Sequence, residues 1–595
     1  MTNFTKNNYE VENVTIETIL SWIDNGEIGL PELQRPFVWE SVKVRDLVDS
    51  LYRGYPIGYI VTWNSPNIKL KNGQTSVGKK IIIDGQQRIT ALRAAIAGKE
   101  IITKRYERKR IKIAFNPLTE EFQTLTAPIE KDPVWVNDVA EYFNSPSQFE
   151  FLTNYRDKLK DFSEENKSQA TRALEKLGTL KQNLLGNIIL GAGLSIDEVT
   201  EIFNRINSKG TKLSSADFVM SKLSADKQHQ GNDIRKIIDY FCQMMHDPTL
   251  YRNICKIDPD FVKTTVFSKI QWVTNDFSQV YQPKFSDLLH VCLAYGFNRG
   301  KLADLVSLVS GRDFETRKFS ETAMENTYVK LSNAVIAATN QSNFERFIMI
   351  LRSMGMLEHK ALVVNGMGSL NFGYEMYLLL KNKADLSQSE LESLVKRWIV
   401  MAALTSRYSG SSESQTEVDI KFLADNMQNI AEAINNIISQ VLTNDFWQFS
   451  CPQKFATTST QSNSWRIFEM AQVHSGDIAW LESDHKVESL IANQGNIHHI
   501  FPRAYLKKNG FSQQEYNQVA NFTWLTQPRN LQVGDRAPQE YLHDAKVTEY
   551  LSEDSFKKNA IPAQVVDFIF ENYEEFLSLR RQLMVQKVRE YFEKI

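Results

Sequence analysis

The sequence predicts a predominantly helical α+β protein, and three observations lead to this class. A chain of 595 residues is too long for one hydrophobic core, so several domains are expected. Helical and strand patterns alternate up to about residue 225, and apolar residues at helical spacing then dominate to about residue 450. A composition shift at 451–464 precedes the last strand patterns. We therefore predict three domains, at residues 1–225, 226–450 and 451–595.

Periodicity and capping residues predict the elements of the first domain. Each predicted helix has an apolar face and a stop signal such as Asn25-Gly26 or Gly98, and each predicted strand is a short apolar run. The predicted helices are Thr15–Asp24, Val42–Tyr52 and Gln86–Ala97, and the predicted strands are Gly58–Trp63, Lys80–Asp84 and Ile111–Phe115.

Two further helices are predicted by their ends. A capping box at Ser195 and Glu198 predicts a helix that runs to Ile206. At the other end of the chain, Tyr573–Ile595 predicts a long amphipathic helix whose basic side chains, Arg580 among them, we assign to a solvated face.

Charge and cysteine content narrow the classes of function. The 69 basic and 71 acidic side chains give a net charge of −2, so any DNA contact has to come from local basic patches. The four cysteines form no CxxC pair, which argues against a disulfide framework or a structural zinc site and fits a reducing cytoplasm. No apolar signal core or bilayer-length apolar run is present, so we expect a cytoplasmic protein without a membrane partner.

The predicted strand Lys80–Asp84 runs through Gly85 directly into a helix, and this arrangement suits an anion. A helix that begins after Gly85 offers free backbone N–H groups, and Arg88 in its first turn can bind a phosphate. Gln86 and Gln87 add neutral donors and acceptors, while Asp84 can bind a metal, a ribose hydroxyl or Arg88. The alternative interpretation is a capped helix in which Asp84 simply pairs with Arg88.

A second polar pair lies upstream, where Gln34 and Arg35 stand between two prolines. The prolines restrict the backbone, so these side chains can be directed towards a site or can form a surface turn.

Two adjacent histidines, His498 and His499, end a β-like run that continues into Ile-Phe-Pro502. Adjacent residues on a strand point to opposite faces, so the two imidazoles cannot perform the same task. One can bind a divalent metal while the other takes a proton from water. Asn521 and Asn530 follow at a nine-residue interval, on either side of a predicted strand Phe522–Thr526.

Four separated motifs of the first domain resemble, in the expected order, the GmrSD-type restriction endonuclease family. They are Leu30-Pro-Glu-Leu-Gln-Arg-Pro-Phe-Val-Trp39, Asp49-Ser-Leu-Tyr-Arg-Gly-Tyr-Pro-Ile-Gly58, Ile83-Asp-Gly-Gln-Gln-Arg-Ile-Thr-Ala-Leu92 and Phe203-Asn-Arg-Ile-Asn-Ser-Lys-Gly-Thr-Lys-Leu213. The resemblance implies a ParB/sulfiredoxin-like N-terminal domain that binds and hydrolyses a nucleoside triphosphate. The nucleotide-binding residues that it implies are Gln34, Arg35, Asp84, Gly85, Gln86, Gln87, Arg88, Asn204, Arg205 and Asn207.

The C-terminal motif resembles the ββα-metal (HNH) nucleases. The resemblance implies that His498 is a metal ligand, that His499 is the general base, and that Asn521 braces either the loop or His499 as part of the catalytic site. Asn530 would be the second metal ligand, in a position often held by histidine. One imidazole and one amide oxygen suit Mg²⁺ or Mn²⁺ better than zinc. The segment Arg503 to Ala520 is longer than the turn of a compact ββα hairpin.

The two resemblances together predict a nucleotide-regulated, metal-dependent DNA endonuclease of prokaryotic defence, whose partner is modified foreign DNA. The alternative is an NTPase sensor that binds DNA through an HNH-like domain without cleaving it. The sequence leaves open the DNA modification, the nucleotide, and whether the protein forms a homo-oligomer.

Overall fold

The structure is a computed structural model, and it confirms the predicted class, an α+β fold that is predominantly helical. It describes residues 9–25, 27–29, 37–64, 80–103, 105–191, 193–194, 198–199, 202, 214–226, 228–275, 280–357, 368–381 and 385–595.

The described strands form one five-stranded sheet and three two-stranded pairs. The large sheet has the order β1-β9-β3-β4-β2, while β5 pairs with β6, β7 with β8 and β10 with β11. The strands are β1 Tyr9–Thr15, β2 Ile28–Gly29, β3 Tyr59–Asn64, β4 Lys80–Asp84, β5 Ile101–Ile102, β6 Arg108–Lys109, β7 Ile113–Asn116, β8 Glu121–Thr124, β9 Leu184–Leu190, β10 Ile497–His499 and β11 Phe522–Trp524.

Helices make up most of the remaining structure. In chain order they are α1 Ile16–Asp24, α2 Ser41–Tyr52, α3 Gln86–Ala95, α4 Ala127–Lys131, α5 Val139–Phe143, α6 Gln148–Lys158, α7 Glu164–Gly178, α8 Ser215–Ala225, α9 Gly231–His246, α10 Tyr251–Ile257, α11 Pro259–Val262, α12 Thr265–Ser268, α13 Phe285–Phe297, α14 Leu302–Leu308, α15 Glu321–Ala338, α16 Gln341–Ser353, α17 Gly368–Leu380, α18 Gln388–Thr405, α19 Ser412–Asp425, α20 Ile430–Val441, α21 Cys451–Lys454, α22 Asn463–His474, α23 Val487–Ala492, α24 Arg503–Lys508, α25 Gln513–Tyr516, α26 Gln527–Val533, α27 Pro538–Tyr541, α28 Glu553–Lys558 and α29 Tyr573–Lys594.

The chain divides into two compact units. Unit 1 comprises Met1–Lys236, Thr249–Thr264 and Ala303–Val329, and unit 2 comprises Ile237–Pro248, Thr265–Leu302 and Lys330–Ile595. The division into three domains stays a prediction. Within the described ranges, no helix combines the length and the apolarity that crossing a bilayer requires.

The large sheet of unit 1 mixes parallel and antiparallel pairs. Strand β9 lies between β1, with which it is antiparallel, and β3, with which it is parallel. Strand β4 is antiparallel to β3 and parallel to β2. Ile60, Ile82 and Leu185 of the three middle strands join one hydrophobic core with α1, α2 and α3. Burying each such side chain contributes roughly 1.5–3 kcal/mol, so this core holds α3 against the sheet.

The sequence patterns predicted the first helix accurately and the strands less accurately. The apolar face predicted for α1, formed by Ile16, Ile19, Leu20 and Ile23, is buried. The hydroxyl of Thr15 accepts the Thr18 N–H at 3.1 Å and caps this helix. The strand predicted at Ile111–Phe115 lies at Ile113–Asn116 instead, and β1 and β9 were not predicted.

The assignment of Arg580 to a solvated face is wrong, because its side chain is 1% exposed in α29. Its Nη2 donates to the carbonyl of Phe522 in β11 at 2.8 Å. A buried guanidinium is costly to desolvate, and burial lowers the pKa of Arg580 to about 9.

Candidate nuclease site and nucleotide-binding loop

Unit 2 contains a strand–strand–helix arrangement around the histidine pair. Strands β10 and β11 are antiparallel, with His498 opposite Thr523 and His499 opposite Phe522. The chain then passes Thr526, whose hydroxyl accepts the Arg529 N–H at 3.4 Å, and enters α26, which carries Asn530. The segment between the strands is not a simple turn, because it forms α24 and α25.

His498 and Asn530 are brought together by β10 and α26. His498 is 9% exposed, and its side chain interacts with the Asn530 amide as a hydrogen-bond partner. Burial lowers the pKa of His498, the neighbouring His499 lowers it further, and Asn530 raises it. The neutral imidazole is therefore favoured, which is the form that binds a metal.

His499 faces a different set of neighbours, as expected for the next residue of a strand. Its Nε2 lies 3.0 Å from Oδ1 of Asn517, which follows α25. The Phe522 ring meets the imidazole edge to face, with ring centroids 5.1 Å apart. Burial lowers the pKa of His499, Asn517 raises it, and the Arg503 charge lowers it. The unprotonated form that a general base requires is therefore favoured near neutral pH.

Asn521 is fully buried just before β11, and its side chain bonds the backbone of two nearby residues as well as the side chain of Tyr573. Its Oδ1 accepts the Phe501 N–H at 2.8 Å, and its Nδ2 donates to the carbonyls of Phe501 and Tyr516 at 3.1 Å each. Of the two roles expected for Asn521, the structure therefore has it bracing the loop after β10 rather than contacting His499.

The residues at this site fit a magnesium or manganese ion held by few protein ligands. His498 could supply a ring nitrogen, and Asn530 could supply an amide oxygen from the facing helix. Over the part of the chain that the structure describes, no three His, Cys, Asp or Glu side chains group closely enough to enclose a metal. Two protein ligands would leave the remaining positions to water and a substrate phosphate, as is usual for Mg²⁺.

The predicted anion site lies in unit 1, where β4 ends and α3 begins. Gly85 has φ 94°, and a Cβ built there would lie 2.7 Å from Cγ2 of Ile60, so this position requires glycine. Gly85 provides no side-chain cap for α3, and the backbone N–H groups at such a helix start can bind an anion. Asp84 pairs with Val61 in β3 at a shift of register, a feature common near functional sites.

Arg88 and Gln87 are each tied to backbone near this helix start. Nη1 of Arg88 donates to the Tyr59 carbonyl at 2.5 Å, and Oε1 of Gln87 accepts the Val38 N–H at 3.0 Å. Burial lowers the pKa of Arg88 while Asp84 raises it, yet no ion pair within 4 Å joins the two described side chains. The predicted alternative, a structural Asp84–Arg88 pair, is therefore not formed.

Gln86 contributes to the same helix start through its Nε2, which lies 3.4 Å from the Ile82 carbonyl. The remaining residues predicted for nucleotide binding, Gln34, Arg35, Asn204, Arg205 and Asn207, lie outside the described residues.

Asn517 is the site residue that sequence reasoning missed. The only local signal is the capping box of Ser512 and Glu515, which predicts a short helical turn that ends near Asn517. The hydrogen bond between Asn517 and His499 depends on the conformation of the whole segment between β10 and β11, which no local pattern determines.

These features define an α+β protein with a glycine-linked strand–helix junction, the predicted anion site, in one unit and a histidine-bearing strand–strand–helix arrangement in the other. Residues 16–224 match the family model of the GmrSD restriction endonuclease, N-terminal domain. This match identifies an N-terminal domain of the GmrSD restriction endonuclease type, as the N-terminal motifs predicted. The matched residues include the anion site and do not include the histidine pair.

A second similarity spans nearly the whole chain. The uncharacterized protein MJ0686 of Methanocaldococcus jannaschii is 20% identical, with 95% of this chain and 96% of that protein covered. The similarity extends over both units of this chain, and it assigns no activity.

Proposed function

We propose that this protein is a metal-dependent DNA endonuclease that acts in defence against modified foreign DNA and is regulated by a nucleoside triphosphate. The observation that carries the proposal is the joint presence of a GmrSD N-terminal domain and of His498 and His499 on a strand–strand–helix unit. His498 interacts with Asn530 and His499 with Asn517, and these different partners support different roles for the two histidines.

In the proposed reaction, His499 removes a proton from the water that attacks the phosphodiester. Its ring is held by Asn517 and Phe522, so its orientation is set before DNA binds. His498 and Asn530 would hold a divalent ion, which would neutralise charge on the phosphodiester and the leaving oxygen. Asn521 keeps the loop at Phe501 in place beside the histidine strand.

Exposed cations beside His499 support a nucleic-acid substrate. Helix α24 starts at Arg503, whose positive charge lowers the pKa of His499. The same helix carries the exposed side chains of Lys507 and Lys508. Such cations neutralise backbone phosphates independently of the base sequence. The net charge of the chain is −2, so this local patch supports the proposal more than the overall composition does.

The uncapped start of α3 supports the nucleotide part of the proposal. Its backbone N–H groups bind phosphate, and the guanidinium of Arg88 is already fixed beside them through Tyr59. Asp84 at the end of β4 is placed to bind a ribose hydroxyl or a cation that accompanies the phosphates.

The test uses the full chain, the His499→Ala variant and the Arg88→Ala variant, each incubated with modified phage DNA and unmodified plasmid. Mg²⁺ or Mn²⁺ is present, with and without each nucleoside triphosphate. His543→Ala is the matched control, because His543 is an exposed histidine of the same unit that bonds the Gln539 carbonyl. We expect cleavage by wild type and His543→Ala, none by His499→Ala, and altered nucleotide dependence in Arg88→Ala.

Cleavage that persists in His499→Ala would refute the proposed nuclease site. Nucleotide hydrolysis by a wild type that cuts no DNA would instead favour the alternative, an NTPase sensor whose C-terminal unit binds DNA.

A further inference from the structure

We propose that Asn517 is the positioning residue of His499, and that the segment between β10 and β11 serves to deliver its amide oxygen. The inference rests on the proposed nuclease function, which it deepens by assigning the tautomer and the orientation of the general base.

The first support is the contact itself. Oδ1 of Asn517 lies 3.0 Å from Nε2 of His499, a normal hydrogen-bond distance. The rings of Phe522 and Tyr516 stand edge-on to the imidazole, with centroid separations of 5.1 Å and 6.3 Å. One polar and two aromatic contacts leave the ring little rotational freedom.

The second support is the anchoring of Asn517. Its N–H donates to the Gln513 carbonyl at 3.2 Å, which closes the turn of α25. The preceding residue, Tyr516, is buried, and its carbonyl accepts Nδ2 of Asn521 at 3.1 Å. The hydroxyl of Tyr573 in α29 donates to the Glu515 carbonyl at 2.9 Å. Helix α25 is therefore fixed both to the residue that precedes β11 and to α29.

The third support is the chemistry of the acceptor. An amide oxygen accepts a hydrogen bond and cannot donate one, so the proton of the neutral imidazole resides on Nε2. Nδ1 then keeps its lone pair and is the atom that takes the proton from water. A carboxylate at position 517 would fix the same tautomer, but its negative charge would lie close to that of the DNA phosphate. An asparagine orients the ring without that repulsion.

Asn521 does not compete for this role, because its side chain bonds the backbone of Phe501 and Tyr516 and the side chain of Tyr573. Asn521 acts indirectly, by bonding the carbonyl of Tyr516, the residue that precedes Asn517.

The test is made on the full chain with wild type, Asn517→Ala, Asn517→Asp and the control Gln514→Ala. Gln514 is an exposed residue of the same short helix. The first measurement is the ring nitrogen NMR spectrum of His499, assigned by comparison with His499→Gln, in metal-free protein without DNA at a pH where the ring is neutral. We expect the Nε2–H tautomer in wild type, Asn517→Asp and Gln514→Ala, and a mixture of tautomers in Asn517→Ala.

The second measurement separates kcat from KM for DNA cleavage with Mg²⁺ or Mn²⁺. Loss of an orienting partner typically costs about 10–100-fold, so kcat of Asn517→Ala should fall by that factor while KM stays within about threefold. Gln514→Ala should match wild type. Thermal unfolding shows whether each variant is folded, and Asn517→Asp keeps an acceptor oxygen at the same position.

A wild-type Nδ1–H tautomer, or a tautomer that Asn517→Ala leaves unchanged, would overturn the inference whether or not the protein cuts DNA. If the tautomer shifts as expected but wild type cleaves no DNA, the orienting role stands and the proposed nuclease function fails.

Discussion

Asn521 and Phe501 are joined by two hydrogen bonds, since the Asn521 side chain accepts the Phe501 N–H at 2.8 Å and donates to the Phe501 carbonyl at 3.1 Å. The buried side-chain amide of Asn521 thus bonds the backbone of Phe501 in place of a partner strand, just after β10 has ended. Asn521→Ala leaves these backbone groups without a partner, and we expect the free energy of unfolding to fall by roughly 2–4 kcal/mol. Urea denaturation measures this loss, and DNA cleavage should fall with it.

Asn509→Ala is the control for this prediction. Asn509 also donates to a backbone carbonyl, that of Tyr505 at 2.9 Å, but it is only half-buried at the end of α24. Its loss should cost less than about 1 kcal/mol. Equal losses for the two variants would contradict the bracing role of Asn521.

Gly85→Ala should damage the start of α3 in two ways. The backbone there has φ 94°, and the new Cβ would lie 2.7 Å from the Ile60 side chain, so both strain and a steric clash are expected. We expect the free energy of unfolding to fall by about 1–3 kcal/mol, together with weaker nucleotide binding measured by calorimetry.

Gly54→Ala separates the two effects. Gly54 also has a positive φ, 72°, but a Cβ there would meet nothing within 4 Å. It should show the cost of strain alone and normal nucleotide affinity. If Gly85→Ala binds nucleotide like wild type, α3 is not the phosphate site.

Replacing Arg503, Lys507 and Lys508 by alanine should weaken DNA binding and reduce its dependence on salt. Each phosphate contact that is lost lowers the slope of log K against log salt by about one. Fluorescence anisotropy across a salt series, with the metal omitted to prevent cleavage, measures both quantities. Lys557→Ala, at an exposed position in α28, is the control and should leave the slope unchanged. An unchanged slope in the triple variant would place the DNA path elsewhere.

Glu375 in α17 should make unit 2 less stable as the pH rises. Burial and then the charge of Asp419 raise the pKa of Glu375 from 4.5 to about 8. Below pH 4.5 both the folded and unfolded states bind this proton, so the group has no effect there. Between about pH 4.5 and 8 the unfolded state releases the proton first, so stability falls by up to about 1.4 kcal/mol per pH unit.

Glu375→Gln should therefore be more stable than wild type at pH 8 and show a flatter dependence on pH. Denaturation midpoints from pH 5 to 9 measure the difference. Glu432→Gln, at an exposed position of α20, is the control and should follow wild type. If Glu375→Gln also follows the wild-type curve, the carboxyl does not titrate in this range.

The sequence predicts structure well where the determining contacts are local. Thr15 starts α1 and Gly85 starts α3 because a cap and a positive φ act within one turn. The separation of His498 from His499 follows from strand geometry alone. In contrast, no local pattern of Leu184–Leu190 distinguishes it as the strand between β1 and β3, because that position is set by partners far away in the chain.

The orientation of His499 shows the same limit. Asn517 reaches it from a short helix that is itself bonded by Tyr573, far along the chain in α29. The burial of Arg580 has a similar cause, since its partner is the Phe522 carbonyl of a strand rather than a neighbour in its helix. Helical periodicity predicts which residues share a face of the helix, but it does not predict which element packs against that face.

The placement of β9 has a consequence for how the N-terminal unit forms during synthesis. Strands β1 and β3 each pair with β9 and not with each other, so the sheet stays in two separate pieces until residues 184–190 have been made. Pairings between such distant residues form slowly, because a long loop must close first. A fragment that ends before Leu184 would expose open strand edges on both pieces, and aggregation rather than a smaller stable domain is its expected fate.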